Sequence, residues 1–178
     1  GHMTYSRPQG NSATVRDAVR VIAAAERPVL IYGSGGLWSQ AARQLNAWID
    51  RSGTPFYATP QARGAIPEDH EYSYPAARSL AFKIADVVVV VGTRLNYGLN
   101  HGKPPRFSET AKFIRIDIDA GEINGDQRTN IGIVGDARSV LEQMLAVADE
   151  SILPERLTQW RQQLRDDDVS KSLQQGKD

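Results

Sequence analysis

Residues 87–91 are five consecutive valines with no polar residue among them. β-Branched side chains fit the pleated surface of a sheet. A strand without polar alternation has to be covered on both faces, as a central parallel strand is by helices. The chain carries four further apolar runs, and each ends, as the valines do, on small, polar or charged residues. Val29–Tyr32 leads into Gly33-Ser34-Gly35-Gly36, and Phe56-Tyr57-Ala58 into Thr59-Pro60. The valines lead into Gly92-Thr93-Arg94, Phe113–Ile116 into Asp117-Ile118-Asp119, and Ile131–Val134 into Gly135-Asp136. Read as parallel strands, these runs put every glycine turn and several charged groups on one edge of one sheet. In open α/β sheets, ligands bind at that edge.

Between the runs the apolar period becomes helical. Val15, Ala18, Val19 and Ile22 form one stripe, with Ser12 or Thr14 as candidate cap. Leu37–Arg51 carries Ala41, Ala42, Leu45, Trp48 and Ile49 on one face, and Gly53-Thr54-Pro55 ends it. Ala76–Ala85 reads as a short helix, and Asp136–Asp149 as a longer one with Asp136 as N-cap. Right-handed crossovers then place helices on both faces of a doubly wound, mostly parallel α/β sheet. Thr59–Pro75 and Leu95–Pro105 read as long irregular loops, of the kind that often carry function. Residues 1–11 read as a linker behind Gly1-His2-Met3, which resembles an expression scar and suggests that the chain was cut from something longer. Residues 12–150 form the domain. Residues 151–178 read as a polar tail, with a short helix through Leu157, Trp160 and Leu164 and a disordered end from about Asp166.

The chain has 178 residues, no cysteine and a formal net charge of zero. No partner is selected by bulk charge, so nucleic acid and anionic membranes are not expected. The longest apolar run, Ala85–Gly92, is interrupted by Asp86 and falls far short of the ~20 residues that span a bilayer. Cysteine chemistry is excluded, and a reducing, cytoplasmic setting is expected.

The glycine-rich turn sits where backbone amides and a helix terminus attract phosphate. It fails the dinucleotide fingerprint: Gly33 and Gly35 fit, but Trp38 stands where the third glycine must let helix and strand approach. No acidic residue ends the next strand, which stops at Ala58-Thr59-Pro60, and no lysine completes a phosphate loop of the Walker type. These glycines either cradle phosphate or simply make a tight turn. Arg94 either grips a ligand phosphate or pairs with Asp117 or Asp119. Those two aspartates either hold a ribose diol or metal, or cap a loop. Two carboxylates without a third ligand are a weak metal set. His70 and His101 lack the nucleophile elbow of a serine hydrolase and read as loop or interface residues. No catalytic residue and no metal ligand is predicted.

Taken together, Arg27–Gly36, Gly53–Phe56, Ala85–Leu95, Phe113–Asp119 with Glu122-Ile123, and Gly135-Asp136-Ala137 resemble the central domain of thiamine-diphosphate-dependent enzymes, in that family's order. The resemblance covers about Ser12 to Asp149. The nearest subgroup is that of acetohydroxyacid synthase, oxalyl-CoA decarboxylase and 2-hydroxyacyl-CoA lyase. Leu95-Asn96-Tyr97, His101-Gly102 and Pro104-Pro105 lean toward the CoA-handling members. The resemblance implies a sheet of about six strands, Rossmann-like or DHS-like, between two domains that hold thiamine diphosphate and Mg²⁺. It also implies ADP, CoA or FAD at the central domain of some members, and a homodimeric or homotetrameric parent. The implied nucleotide-facing residues are Gly33, Gly35, Gly36, Gly92, Thr93, Arg94, Asp117, Ile118, Asp119, Gly135 and Asp136.

The family's Gly-Asp-Gly…Asn-Asn diphosphate motif is absent, and its catalytic glutamate has no counterpart here. The expectation is therefore an excised central domain of a lyase, decarboxylase or synthase, inactive alone. The alternatives are a stand-alone nucleotide-binding module without catalysis and, ranked last, an NAD-dependent deacylase related by fold.

Overall fold

The computed structural model describes residues 7–35, 40–125 and 128–176. Five strands form one sheet: β1 (Pro28–Tyr32), β2 (Phe56–Ala58), β3 (Val87–Val91), β4 (Lys112–Asp117) and β5 (Thr129–Val134). They lie in the order β2-β1-β3-β4-β5, and every pairing is parallel. The sheet has five strands among the described residues rather than about six. The chain has five apolar runs, and the count of six came from the resemblance alone.

The helices are α1 (Ser12–Ala24), α2 (Ala42–Ser52), α3 (Arg78–Ile84), α4 (Ala120–Asn124), α5 (Ala137–Val147) and α6 (Thr158–Gln175). None is long and apolar enough to cross a membrane. The valine strand divides its side chains by strict alternation. Val87, Val89 and Val91 pack with Leu45, Trp48, Val140 and Met144 of α2 and α5 and with Val15 and Ile22 of α1. Val88 and Val90 pack with Phe82 of α3, Phe107, Phe113, and Trp160 and Leu164 of α6. Each face of β3 thus has its own apolar layer, which is why no position in it carries a polar residue.

Local rules set the helix ends. The cap of α1 is Asn11, whose side chain accepts from the Thr14 amide at 3.1 Å, rather than Ser12 or Thr14. Asp136 caps α5 by accepting from the Ser139 amide, as the sequence predicts. α2 closes on Gly53, which takes the left-handed conformation with φ 71°. A Cβ there would also lie 2.7 Å from Pro154 Cα. The first part of the predicted second helix, Leu37–Ser39, lies outside the described residues.

The two ends of the chain differ from expectation. Residues 8–10 are packed on the domain rather than forming a free linker: the Asp136 amide donates to Pro8 O at 2.8 Å, and Gly10 exchanges two hydrogen bonds with the Gln143 side chain. The predicted disordered end from Asp166 is helix as far as Gln175. Its first turns are anchored by Trp160 Nε1, which donates to Pro28 O at 2.9 Å, and by Arg161, which donates to Gly53 O and Pro154 O. Just upstream, Arg156 donates to Ala25 O and Ile22 O at the end of α1. Buried Leu164 then packs in the layer of Val88 and Val90.

The 59–75 loop packs around the side chains of β2, with the His70 ring edge-on to Phe56 and Tyr74 O accepting from Tyr57 Oη. The Ile66 amide donates to Tyr32 Oη. His70 Nδ1 accepts from the Tyr72 amide while Nε2 lies 2.7 Å from Asp50 Oδ1. Replacing Leu164 by alanine should cost about 2–5 kcal/mol of unfolding free energy. Replacing Leu173, 64 % exposed on the same helix, should cost under about 0.5 kcal/mol. Paired denaturant titrations would show no such contrast if α6 were a loosely attached tail.

Candidate functional site

The C-terminal edge of the sheet is level. Tyr32, Val91 and Ile116 are register partners across β1, β3 and β4, and Asp117 pairs with Val134. The parallel ladder continues one step past the strand ends, through the turn residues. The Gly33 amide donates to Val91 O at 2.9 Å, that of Gly92 to Ile116 O at 3.0 Å, and that of Gly135 to Asp117 O at 3.0 Å. Gly33, Gly35, Gly92, Thr93, Arg94, Asp117, Ile118 and Asp119 therefore do share one rim, on both sides of the point between β1 and β3 where the strand order reverses. Such a reversal is where open α/β sheets form their ligand crevices. Gly36 lies outside the described residues.

Within the rim, roles separate. The Gly35 amide donates to Gly92 O at 3.0 Å. A Cβ at Gly35 would lie 2.7 Å from that oxygen, and one at Gly33 would lie 2.4 Å from Thr93 Cβ. Of the two readings of this turn, the tight-packing one is realised at both glycines: they let two turns touch, and their amides serve the sheet rather than a phosphate. Gly135 and Asp136 do not face the rim as expected. Residues 7–10 cover them, with the Gly10 amide nitrogen 3.0 Å from where a Gly135 Cβ would sit and Arg7 pairing with buried Asp136 at 3.3 Å. The capping demand of α5 turns Asp136 inward.

Arg94 is 69 % exposed, and its Nε lies 3.0 Å from Glu122 Oε1. Its partner is thus neither Asp117 nor Asp119. The buried cation here is Arg115, 2 % exposed, which sequence reading passed over as part of a strand. It shares a face with Phe113 and Asp117 by alternation, and a charge in an otherwise apolar strand was the available signal. Arg115 Nη2 donates to Thr93 O at 2.9 Å and Nη1 to Glu122 O at 3.0 Å, with Asp117 Oδ2 at 3.8 Å. It clamps the exit of β3 to α4. Asp117 and Asp119 fulfil the loop-capping reading: Asp117 Oδ1 accepts from the Asp119 amide, and Asp119 Oδ1 caps α4 through the Gly121 amide. Ile118, held between them, is 63 % exposed.

Beside this rim lies an open cleft of about 660 Å³. Arg94, His101, Lys103, Arg115 and Arg128 line it, with Glu122 as the one carboxylate among the described residues. The loop after β3 builds its outer wall. Asn100 and His101 take left-handed conformations there, with φ 49° and 51°. Arg128 holds the wall in place by donating to Gly102 O, Ser108 O and Glu109 O while lying over the Phe113 ring. The cleft can accept an anionic, partly apolar ligand. No three His, Asp or Glu side chains converge on a metal position among the described residues.

Replacing Arg115 by methionine should cost about 2–4 kcal/mol, because two partly buried carbonyls lose their donor. Replacing Arg94 by alanine should cost less than about 1 kcal/mol, since its ion pair is exposed. Thermal and denaturant unfolding of the two variants checks this ordering.

Residues 15–144 match the protein-family description "Thiamine pyrophosphate enzyme, central domain". The chain is 40 % identical over 127 residues to a 2-hydroxyacyl-CoA lyase of Arabidopsis thaliana, covering 71 % of this chain and 22 % of that protein. It is 38 % identical over 148 residues to the oxalyl-CoA decarboxylase of Escherichia coli K12, covering 83 % of this chain and 26 % of the other. The chain thus spans about a quarter of the length of these relatives. The crystal structure of benzoylformate decarboxylase from Polynucleobacter necessarius superposes with a TM-score of 0.67 at 22 % identity, over 84 % of this chain and 29 % of that one, which speaks for the fold alone. A five-stranded parallel sheet in the order 2-1-3-4-5, filled by the residues that the family description matches, makes this chain a member of the thiamine pyrophosphate enzyme central-domain family.

Proposed function

We propose that the chain is the middle domain of a thiamine-diphosphate-dependent lyase or decarboxylase that cleaves a C–C bond beside a carbonyl, in a 2-hydroxyacyl-CoA or a 2-oxo acid. The observation that carries this reading is the match to 2-hydroxyacyl-CoA lyase and oxalyl-CoA decarboxylase, confined to about a quarter of each. Thiamine diphosphate and Mg²⁺ do not fit this chain's own residues. The sequence lacks a Gly-Asp-Gly…Asn-Asn pair, and the described residues offer no metal cluster. Those groups belong to flanking domains of the parent, and the chain alone is inactive. The absence of cysteine agrees with a reducing cytoplasm, and the whole protein is a homo-oligomer in this reading.

The same reading gives the rim a nucleotide. ADP, or the nucleotide part of CoA or FAD, would lie across Gly92-Thr93-Arg94 and Asp117-Ile118-Asp119. Exposed Ile118 offers an apolar platform, and Arg94 a charged side chain that can leave Glu122 for a phosphate at little cost. Calorimetric titration of the 178-residue chain with ADP, CoA and FAD should show micromolar binding of at least one. Arg94→Ala should weaken it about tenfold, which corresponds to about 1.4 kcal/mol. Silence from all three would sink the nucleotide part of the reading. Turnover of a 2-oxo acid or 2-hydroxyacyl-CoA by the chain alone would sink its scaffold role.

A further inference from the structure

Among the described residues, β5 pairs with β4 on one side and with no strand on the other. The unpaired amides and carbonyls of such an edge offer a template to another strand, so edges are usually guarded by shortness, charge, proline or a bulge. β2, the sheet's other edge, is only three residues long. Residues 129–134, Thr-Asn-Ile-Gly-Ile-Val, carry neither charge nor proline. Their one guard is a register irregularity at Phe113/Ile114, opposite the start of the strand, which leaves Ile131–Val134 in regular pairing.

The hydrogen bonds show which groups face outward. The Gly135 amide points inward and donates to Asp117 O at 3.0 Å. Backbone groups alternate sides along a strand, so the amides and carbonyls of Gly132 and Val134 face away from β4. The next amide in that series, Asp136, does point outward and donates to Pro8 O at 2.8 Å. Among the described residues nothing takes the corresponding place at Gly132 or Val134. Both faces of the strand, in contrast, are closed. Ile123 of α4 lies over Gly132 on one, and Ile133 is buried with Val15 and Val140 on the other. Val134 itself is 41 % exposed. The flanking charges are turned elsewhere, Arg128 toward Gly102 O, Ser108 O and Glu109 O, and Asp136 toward the Ser139 amide.

We propose that β5 is an interaction surface for a second copy of this chain, the two β5 edges pairing antiparallel about a two-fold axis near Ile133. The Gly132 amide and carbonyl of one copy then meet the Val134 carbonyl and amide of the other, and the reverse, so one contact satisfies the outward groups of both copies. Self-pairing sets no charge against its own image, because the edge has none and the formal net charge of the chain is zero. The same lack of charge, with glycine at the centre, gives an unlike strand little to be selected by. A contact this short lies at the small end of protein interfaces, so the dimer is a weak, micromolar one. It is separate from the rim, and a chain that stayed monomeric would leave the nucleotide reading untouched.

Sedimentation velocity of the 178-residue chain should show a monomer–dimer equilibrium. Over the same concentrations, hydrogen exchange at the Gly132 and Val134 amides should slow as dimer forms. Exchange at the Gly92 amide, already bonded to Ile116 O, should not change. Val134→Lys brings two like charges close to the axis and should weaken the dimer about tenfold, whereas Val134→Thr, of similar shape and uncharged, should leave it within about twofold. The proposal fails if the chain is monomeric at its highest soluble concentration, if exchange at Gly132 and Val134 does not respond to concentration, or if Val134→Lys dimerises as the parent does. Protection of those two amides by an unrelated extended peptide, in a chain that does not dimerise, would also overturn it, in favour of an unlike partner.

Discussion

The parallel ladder through β3 is the interaction on which the rest of the structure depends. Each of its five valines is buried, with alternate side chains feeding different apolar layers. The strand therefore fixes the height of β1 and β4, its partners on either side. Because the hydrogen bonds run on into Gly33, Gly92 and Gly135, the turns inherit the register of the strands. A parallel sheet has to be covered on both faces, so α6 is a structural necessity here. Trp160 and Leu164 close the layer that Val88 and Val90 open.

The rim then follows from small side chains and one buried charge. Glycines at 33 and 35 allow two turns to touch, and Arg115 ties the loop after β3 to α4. Such a site is held by backbone contacts and by a side chain whose own position is fixed by packing, which is the arrangement that keeps ligand-facing groups in place. Arg94 and Ile118 extend from this frame into solvent. They can meet a ligand, or a neighbouring domain, without disturbing the frame.

Sequence periodicity made the layers legible because burial on both faces leaves an unmistakable run of valines, and the edge of the sheet was legible because strand ends carry glycine and aspartate. What it missed had physical causes. Arg115 was hidden because a charge inside a strand is stabilised only by partners from distant segments, here Thr93 and Glu122, whose approach no local pattern records. Asp136 looked like a rim residue because, although its cap role is local and was legible, its burial under residues 7–10 comes from a contact across most of the chain. The end of α6 looked disordered because residues 165–175 are largely polar, yet the buried anchors at Trp160 and Leu164 nucleate a helix that then propagates at little further cost. The cations at Arg63, Arg78 and Arg106 carried no motif at all. Their spacing is set by two loops and a short helix.

The two cationic regions of the domain differ in how their charge is treated. In the cleft beside the rim, Glu122 neutralises Arg94, and carbonyl oxygens surround Arg115 and Arg128. That charge is largely answered by the protein itself, so it contributes structure and a modest pull on anions. Around Phe82 the guanidinium groups of Arg78 and Arg106 lie over the ring face instead, with Glu68 in the wall of a small cavity that Arg78 also lines. The cleft's cations are thus first of all part of the scaffold, held by the protein's own oxygens, whereas those around Phe82 rest on a ring face.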